Sequence, residues 1–520
     1  MRCLIFALFF CSTVRAADQP NIILIMVDDM GWSDLGCYGG EIETPHIDSL
    51  AHDGLRFTRF YNNAVCGATR ASLLTGLYCQ QTGHRGDRWN EPKDFRKCVL
   101  ISELLQAGGY HTVMTGKWQG RDLAVTRGFD RFFGPNCQGK ISYWNAVANN
   151  DFYLDDQPWE IPADNFFMTD SFNDYAVAFL EQAAAGDSPF FLYTAYIAPH
   201  WPLHAREETI QPYRERYRTT GWNEWRQSRI ERQREMGLLP KAWDPALPPA
   251  SVPNWSNDRH KDWQAERMAV YAAQISNVDR GVGRMLEVLR QTGQAENTLV
   301  MFLSDNGAAP NGGLQPTTSG FGFGPRSNDS TWRKDGVTIT PGSGPDLLPG
   351  PHDTFSGYGI AWATTGNTPL RDHKQSAYEG GIRTPLIVRW PKVIRHGGQF
   401  TRQSGHVIDI MATCLDVAGI EYPTTFQGRH PTPMEGRSLL PVLRGERRTG
   451  HELLAWKCAK GRAIQMQNWK LVRPADDQPW ELYDLDVDGG ETNDLAQTHP
   501  DRVQRMAADY EEWRERVGAQ

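Results

Sequence analysis

The chain of 520 residues lacks features that would point to several common classes of function. It contains no long run of Lys and Arg, and 54 basic residues against 62 acidic ones give a formal net charge of −8. Because nucleic-acid phosphates attract clustered basic residues, we expect no nucleic-acid partner. The nine cysteines show no CxxC or Cys/His spacing typical of zinc, and the sequence has no internal repeat. With 40% hydrophobic and 22% charged residues, the composition is that of an ordinary globular protein.

Apolar runs long enough to cross a membrane are also missing. The longest one, Cys3 to Cys11, follows Arg2 near the N-terminus, and small residues surround Ala16. Such a run is shorter than the roughly 18 to 20 residues that span a bilayer. We therefore predict a cleaved signal peptide over residues 1–16, export to the periplasm or the cell exterior, and no membrane span. An odd number of cysteines would then remain: Cys37, Cys66, Cys79, Cys98, Cys137, Cys414 and Cys458.

What the sequence does contain is an alternation of strand and helix patterns. Continuous apolar, β-rich runs predict strands buried on both faces at residues 21–27, 190–196, 298–303 and 385–390. Helical periodicity separates them at residues 101–107, 170–184, 262–292 and 406–418. This alternation predicts an α/β fold over residues 17–444, in which helices sandwich a large mixed, mainly parallel sheet.

Two further regions differ in composition. Residues 310–367 are rich in Gly, Pro, Ser and Thr, which predicts a long functional loop. Within it, Gly320 to Pro325 does not follow a strand, so we interpret this stretch as flexible loop and not as a phosphate-binding motif. After residue 444, short strand-like segments with tight turns precede an amphipathic helix over residues 500–516. Residues 445–520 are therefore predicted to form a small α+β subdomain with an antiparallel sheet.

Oxygen-bearing side chains follow two of the predicted strands. Asp28 and Asp29 come directly after the first strand, and Asp305 and Asn306 follow the third. In open α/β sheets ligands bind at the carboxyl ends of the strands. Either pair alone is more often a helix cap or a turn, but the repetition favours a metal site. An all-oxygen ligand set favours Ca²⁺, with Mg²⁺ second, over zinc or copper.

The segment CGATRASLLTG, residues 66–76, resembles the signature of type I sulfatases, C-x-[P/A]-x-R. Five residues alone match such a pattern by chance, but further family motifs follow in the family's order from residue 21 to the C-terminus: PNIILIMVDDMGWSDLGCYGG, TGKW, RGFDRFFG, FFLYTAYIAPHWPLHA, FLSDNG, NTPLRDHKQSAYEGGIRTPLIVRWP and WELYDLDVD. The chain thus resembles the type I sulfatases of the alkaline phosphatase superfamily. The resemblance implies an alkaline-phosphatase-like fold and the hydrolysis of sulfate monoesters.

The resemblance also implies that Cys66 is oxidised to Cα-formylglycine by a separate formylglycine-generating enzyme during export. A hydrated aldehyde has two hydroxyls on one carbon. One attacks sulfur, and the other expels sulfate by re-forming the carbonyl. A serine in the same place would be left as a stable sulfate ester.

Carried over residue by residue, the resemblance implies individual roles. Arg70 would orient and charge-stabilise the hydrate, and Lys117 and Lys374 would clamp sulfate oxygens. His200 would bind sulfate or protonate the departing alkoxide. The implied Ca²⁺ ligands are Asp28, Asp29, Cys66, Asp305 and Asn306.

One position departs from the family pattern. The family continues GKW with a His that is the usual proton acceptor during sulfate release, but this chain has Gln119. Because an amide cannot act as a general base, our hypothesis is that His204, His373 or a metal-polarised water takes over.

The expected substrates are sulfated carbohydrates, with small aryl sulfates as artificial substrates. Export and 18 Trp, whose flat faces stack on sugar rings, favour a glycan. Two alternatives stay open at this stage: a phosphonate or phosphodiester hydrolase of the same superfamily, and a catalytically silent glycan-binding homologue.

Overall fold

The computed structural model describes residues 19–84, 95, 98–136, 141–147, 151–318 and 333–519. The predicted signal peptide, the stretch Gly320 to Pro325 and Cys137 lie outside the described residues. The strands are β1 Asn21–Val27, β2 Leu55–Tyr61, β3 His111–Gly116, β4 Arg131–Pro135, β5 Phe152–Leu154, β6 Gln157–Trp159, β7 Phe190–Ala195, β8 Thr298–Ser304, β9 Arg383–Arg389, β10 Gln399–Thr401, β11 Gly405–His406, β12 Leu454–Lys457, β13 Arg462–Met466, β14 Trp469–Arg473 and β15 Glu481–Asp484. The α-helices are α1 Pro45–Asp53, α2 Cys66–Thr75, α3 Ile101–Ala107, α4 Met168–Ala184, α5 Glu207–Thr219, α6 Trp222–Glu235, α7 Lys261–Gln291, α8 Gly359–Gly366, α9 Glu379–Ile382, α10 Ile408–Ala418, α11 Leu440–Leu443 and α12 Pro500–Val517.

The first eleven strands form one mixed sheet in the order β10-β2-β9-β8-β1-β7-β3-β4-β5-β6, with β11 paired to β2. At its centre β8, β1, β7 and β3 are all parallel. Alternate side chains of β1 enter opposite cores: Ile23 packs on one face of the sheet and Leu24 on the other. A strand with two buried faces has to be apolar at every position, which is why the sequence pattern identified it.

Helices cover both faces of this sheet. The core on one face includes α4, α5 and α7, and the core on the other includes α2, α3 and α10. The predicted sandwich of helices around a mainly parallel sheet is confirmed. None of the described helices is long and apolar enough to cross a membrane.

The second sheet is antiparallel, with the order β12-β13-β14-β15. One face of it packs against α12, and the other packs against residues of the large body, among them Tyr61 and Tyr378. The predicted small antiparallel α+β unit is confirmed. The boundary between residues 444 and 445, which falls between α11 and β12, stays a prediction.

One expectation needs correction, and one central strand was not predicted. The region 310–367 is not loop throughout, because α8 lies inside it and buries Trp362 completely. Strand β3 was missed because its sequence, HTVMTG, contains two threonines. Both are fully buried, and the Thr112 hydroxyl donates a hydrogen bond to the Gly128 carbonyl at 2.7 Å, so a polar side chain is satisfied inside a strand core.

Candidate active site

Sheet topology explains why residues far apart in sequence meet at one edge. The carboxyl ends of the parallel strands β1, β3, β7 and β8 point the same way. The residues that follow them are Asp28 after β1, Lys117 after β3, His200 a few residues after β7, and Asp305 after β8. One side of the sheet therefore collects a carboxylate, an amine, an imidazole and a second carboxylate.

Cys66 reaches the same edge through β2. This strand is antiparallel to β9, which is antiparallel to β8, so β2 runs in the same direction as the central strands. Helix α2 begins at Cys66 and ends at Thr75, and Gly76 after it adopts the left-handed conformation that caps the helix C-terminus. Arg70 lies one turn after Cys66 on the same side of the helix. Both side chains are buried.

The implied metal ligands come together. One ligand atom each from Asp28, Cys66 and Asp305 lie within 4.8 Å of one another, and so do ligand atoms of Asp28, Asp29 and His200. Asn306 joins the group because its amide donates to Asp29 Oδ1 at 2.7 Å.

Three oxygens of this cluster have no hydrogen-bond partner among the described residues: Asp28 Oδ1, Asp29 Oδ2 and Asn306 Oδ1. Buried polar atoms without partners are rare and costly in native proteins. Oxygens left over in one buried acidic cluster are the donors that a hard divalent cation requires. The residues present therefore fit a Ca²⁺- or Mg²⁺-type site.

Three cations face the three carboxylates. The paired atoms are Lys117 Nζ with Asp28 Oδ2 at 2.6 Å, Arg70 Nη2 with Asp305 Oδ2 at 2.8 Å, and Lys374 Nζ with Asp29 Oδ1. Arg70 also approaches Asp28 Oδ2 at 3.5 Å, so it links the residues that follow β1 and β8.

Burial and charge act on these groups in opposite directions. Burial by itself would raise the pKa of Asp28, but Lys117 and the other nearby cations lower it well below its ordinary value. Burial, together with the Asp28 charge, raises the pKa of Asp305 to about 7. Burial would lower the pKa of Lys374, yet Asp29 raises it, so the amine stays protonated. The nearby cations therefore keep Asp28 ionised although it is buried.

His200 lies against this cluster in a fixed orientation. Its Nδ1 is 2.5 Å from the Trp201 carbonyl oxygen, and its backbone carbonyl accepts a hydrogen bond from the Tyr143 hydroxyl at 2.8 Å. Nε2 lies 3.5 Å from Asp29 Oδ2. Since Nδ1 faces a carbonyl, it carries the hydrogen. Burial lowers the pKa of His200, which favours the neutral ring with Nε2 open toward the carboxylates.

The two histidines expected to replace the missing base are already engaged. His204 Nε2 lies 2.8 Å from the Thr354 carbonyl oxygen, and burial lowers the pKa of this ring to about 3. Both ring nitrogens of His373 have side-chain partners, at 2.9 and 3.0 Å. These contacts argue against either ring as the substitute for the histidine absent at Gln119, which is itself buried with a φ of +58°.

Sequence reasoning missed Asp34, which shapes the loop that carries Asp28 and Asp29. Its carboxylate accepts hydrogen bonds from the Gly31 backbone N–H at 2.8 Å and from the Tyr271 hydroxyl and Arg229 guanidinium at 2.7 Å each. The available signal was a third acid five residues after Asp29 in DDMGWSD.

Comparisons with known proteins identify the family of this chain. The family profile described as Sulfatase matches residues 20–420, and the profile described as N-sulphoglucosamine sulphohydrolase, C-terminal, matches residues 371–515. An uncharacterized sulfatase of Schizosaccharomyces pombe is 31% identical, covering 94% of this chain and 92% of its own length. An arylsulfatase of Klebsiella aerogenes is 30% identical over 82% of this chain and 92% of its own. The chain belongs to the type I sulfatase family of the alkaline phosphatase superfamily, whose members are sulfuric ester hydrolases.

A solved structure shares the fold over nearly the whole length. The structure of BT4656 in complex with its substrate D-glucosamine-2-N,6-O-disulfate superposes with a TM-score of 0.62 at 21% identity. The match covers 96% of this chain and 98% of that one. The arrangement of both sheets is therefore that of the sulfatase fold.

Proposed function

We propose that the protein is an exported, Ca²⁺- and formylglycine-dependent sulfatase that removes sulfate from carbohydrates. The observation that carries the proposal is the buried cluster at the sheet edge. Three oxygens that have no hydrogen-bond partner in the described part of the chain lie in the cluster with Cys66, and three cations contact its carboxylates.

The cation would be held by side chains that already converge: Asp28, Asp29, Asp305 and Asn306, with residue 66 completing the set. When bound, a hard divalent cation neutralises charge on a sulfate oxygen and lowers the pKa of a neighbouring hydroxyl. Ca²⁺ suits this set because it accepts many oxygen ligands in flexible geometry, whereas Mg²⁺ demands a near-ideal octahedron.

The chain's own cations would bind the sulfate group. Lys117 and Lys374 are presently paired with Asp28 and Asp29. A divalent cation among those carboxylates would compensate their charge and leave both amines to face the anion. Arg70, held on Asp305, would remain as a fixed positive charge beside residue 66. Positive groups fixed before the reaction stabilise charge that develops on sulfate oxygens.

His200 is suited to the leaving-group side. Its Nδ1 is fixed by the Trp201 carbonyl, so Nε2 is the nitrogen that can exchange a proton with the ester oxygen. Nε2 would first take up a proton from solvent, a form that the Asp29 carboxylate 3.5 Å away stabilises. The ring would then give this proton to the departing alkoxide, which leaves as the sugar hydroxyl.

Cys66 is placed where an enzyme-made aldehyde would be useful. It is the first residue of α2, where the positive end of the helix dipole favours a developing negative charge. When present, the formylglycine supplies the geminal diol that both attacks sulfur and releases sulfate.

The carbohydrate class rests on the relatives. BT4656 binds a disulfated glucosamine, and the second family profile is described by a sulfated aminosugar, N-sulphoglucosamine. Trp201, tilted by 33° against the His200 ring at 4.8 Å, places an aromatic surface beside the reacting group.

Two measurements on the protein purified from its secreting host test the proposal. Intact-mass analysis of the peptide containing residue 66 is expected to show the aldehyde, which is lighter than the thiol. Sulfate release from defined sulfated mono- and oligosaccharides is expected to require Ca²⁺ and to vanish in Cys66→Ala. An unconverted thiol without turnover would indicate the silent glycan-binding homologue. Faster turnover of a phosphonate monoester than of nitrophenyl sulfate would indicate the other hydrolase class.

Export is tested separately. N-terminal sequencing of the mature protein from the periplasm or the medium is expected to start at Ala17. A chain found only in the cytoplasm with Met1 retained would contradict export.

A further inference from the structure

The C-terminal sheet β12–β15 contacts two of the segments that position residues of the active site. We define the Lys374 segment as residues 371–379 and the Cys66 approach as residues 61–65. Tyr61, Ala64 and Tyr378 from these segments pack in one buried cluster with Trp456 and Val472 of the C-terminal sheet. The second sheet therefore packs directly against both the Lys374 segment and the Cys66 approach.

The Lys374 segment has a backbone that needs support. Asp372 and Gln375, on either side of the dipeptide His373-Lys374, have φ angles of +66° and +76°. Residues other than glycine rarely adopt this region, and such conformations persist only where surrounding structure fixes them. Contacts outside the turn must therefore hold Lys374 in place.

Backbone hydrogen bonds to the C-terminal sheet and to the Cys66 approach supply that support. The Gln375 carbonyl accepts from the Lys460 backbone N–H at 2.9 Å, and the Gln375 N–H donates to the Ala64 carbonyl at 2.8 Å. Ala64 itself has a φ of +59° and lies two residues before Cys66. The Lys374 turn, the Cys66 approach and the C-terminal sheet are thus joined through one residue.

Trp456 of β12 holds the Cys66 approach in place through a hydrogen bond and a ring contact. Its indole N–H donates to the Asn62 carbonyl at 2.7 Å, and its ring packs at 5.4 Å from Tyr61. Because Trp456 is 1% exposed, this contact is sealed from water.

A buried charge triad fixes the end of the Lys374 segment. Lys470 Nζ of β14 lies 2.8 Å from Glu379 Oε1 and 2.7 Å from Glu491 Oε1. The Glu379 N–H also donates to Glu491 Oε2 at 2.7 Å. All three side chains are excluded from solvent, so the geometry is held by strong short contacts.

We propose that the C-terminal sheet is a positioning device for the sulfate site, in which Lys470 and Trp456 set the places of Lys374 and Cys66. Neither residue touches substrate, so both are positioning residues. The inference rests on the proposed function only in the role of Lys374 as a sulfate-binding cation.

The test compares neighbours on one strand. Lys470 faces the Lys374 segment, whereas Leu471 packs on the opposite face beneath α12. Lys470→Met is expected to weaken the binding of inorganic sulfate, measured by calorimetry on the Ca²⁺-loaded protein, by about tenfold, and to raise KM more than it lowers kcat. Leu471→Ala is expected to lower the urea midpoint with sulfate affinity unchanged. Lys470→Arg, which keeps the charge, is expected to recover part of the affinity.

Equal sulfate affinity in Lys470→Met and wild type would overturn the inference and leave the triad a purely structural contact. If Lys470→Met does not fold, Trp456→Phe decides the matter, since it removes one hydrogen bond and keeps an aromatic ring. Unchanged sulfate affinity in that variant would overturn the inference as well. Lys374→Ala separates the two proposals: if it leaves sulfate affinity unchanged, the proposed role of Lys374 fails along with the inference.

Discussion

Two of the buried charge clusters among the described residues differ in one respect. At the sheet edge, Asp28, Asp29 and Asp305 face three cations, while at the junction with the second sheet Glu379 and Glu491 share Lys470. Arg383 approaches Glu379 at 3.4 Å and adds a second positive charge there. Formal charge is therefore balanced in both places.

The difference lies in the oxygens. The edge cluster leaves one oxygen each on Asp28, Asp29 and Asn306 without a partner among the described residues. At the junction only Glu491 Oε1 lacks a hydrogen bond of regular geometry among the described residues, and it lies 2.7 Å from Lys470 Nζ, which also contacts Glu379. The Glu379 backbone N–H donates to the other Glu491 oxygen. A buried charge cluster thus indicates a ligand site when several of its oxygens are left without a hydrogen bond. It indicates a structural contact when its own charged groups face one another.

The largest expected effect comes from a substitution in the edge cluster. Asp28→Asn removes a charge from the cation site and leaves Lys117 without its carboxylate, so the turnover of a sulfate ester is expected to fall by about 10³-fold or more. Metal content, measured by inductively coupled plasma mass spectrometry after dialysis, is expected to fall with it.

Asp279→Asn is the matched control for that variant. Asp279 is also a buried carboxylate, but it accepts hydrogen bonds from the His46 and Ile47 backbone N–H groups at the start of α1 and belongs to neither group of possible metal ligands. It is expected to keep both turnover and metal. Metal retained at wild-type stoichiometry in Asp28→Asn would show that the edge cluster is not the cation site.

The second prediction concerns a substitution in the cluster at the junction with the second sheet. Lys470→Met leaves the buried Glu491 carboxylate without a cation and Glu379 with Arg383 at 3.4 Å, which is expected to lower the free energy of unfolding by about 3 to 5 kcal/mol. Adding Glu491→Gln removes one of those charges, so the double variant is expected to recover part of the loss. Urea denaturation measures both.

Lys117→Met sharpens the contrast. In the Ca²⁺-loaded protein the cation would compensate Asp28, so this variant is expected to lose less stability than Lys470→Met. An equal or larger loss would mean that the two clusters do not differ in the way that the unsatisfied oxygens indicate.

These clusters also show which parts of the fold and of the site could be predicted from the sequence. Strand β1 was predictable because both of its faces are buried and apolar, and Asp28 and Asp29 because they follow it directly. The Glu379–Lys470 pair was not, because its members lie 91 residues apart, one at the start of α9 and the other on β14 of the second sheet. Neither strand periodicity nor motif spacing records which buried charges meet. Lys374 was identified only through the family resemblance, since nothing local distinguishes it from a surface lysine.

A buried group without charge gives the third prediction. Burial lowers the pKa of His406 from 6.5 to about 3, so the folded protein holds this ring neutral where the unfolded chain protonates it. The folded pKa is the lower one, so its effect on stability is absent above the unfolded value and grows as the pH falls from 6.5 toward 3. Each pH unit in that window is expected to cost about 1.4 kcal/mol from this group.

His406→Phe cannot titrate, so the free energy of unfolding of this variant is expected to fall less steeply below pH 6.5 than that of the wild type. Urea midpoints across the acid range measure the two slopes. Above neutral pH the difference between the proteins is expected to be constant. Parallel curves at all pH values would show that His406 is not the group responsible.

The smallest expected effect concerns the edge cluster again, at Gln119. Its φ of +58° is a conformation that histidine tolerates better than most residues, so Gln119→His is sterically acceptable in the backbone. If sulfate release is limited by the lack of a base at this position, the imidazole is expected to raise kcat about threefold, with KM unchanged. Gln119→Asn, which adds no base, is expected to give no gain. A kcat that stays the same or falls in Gln119→His would mean that proton removal at this position does not limit turnover, and that the chain has solved sulfate release without a histidine there.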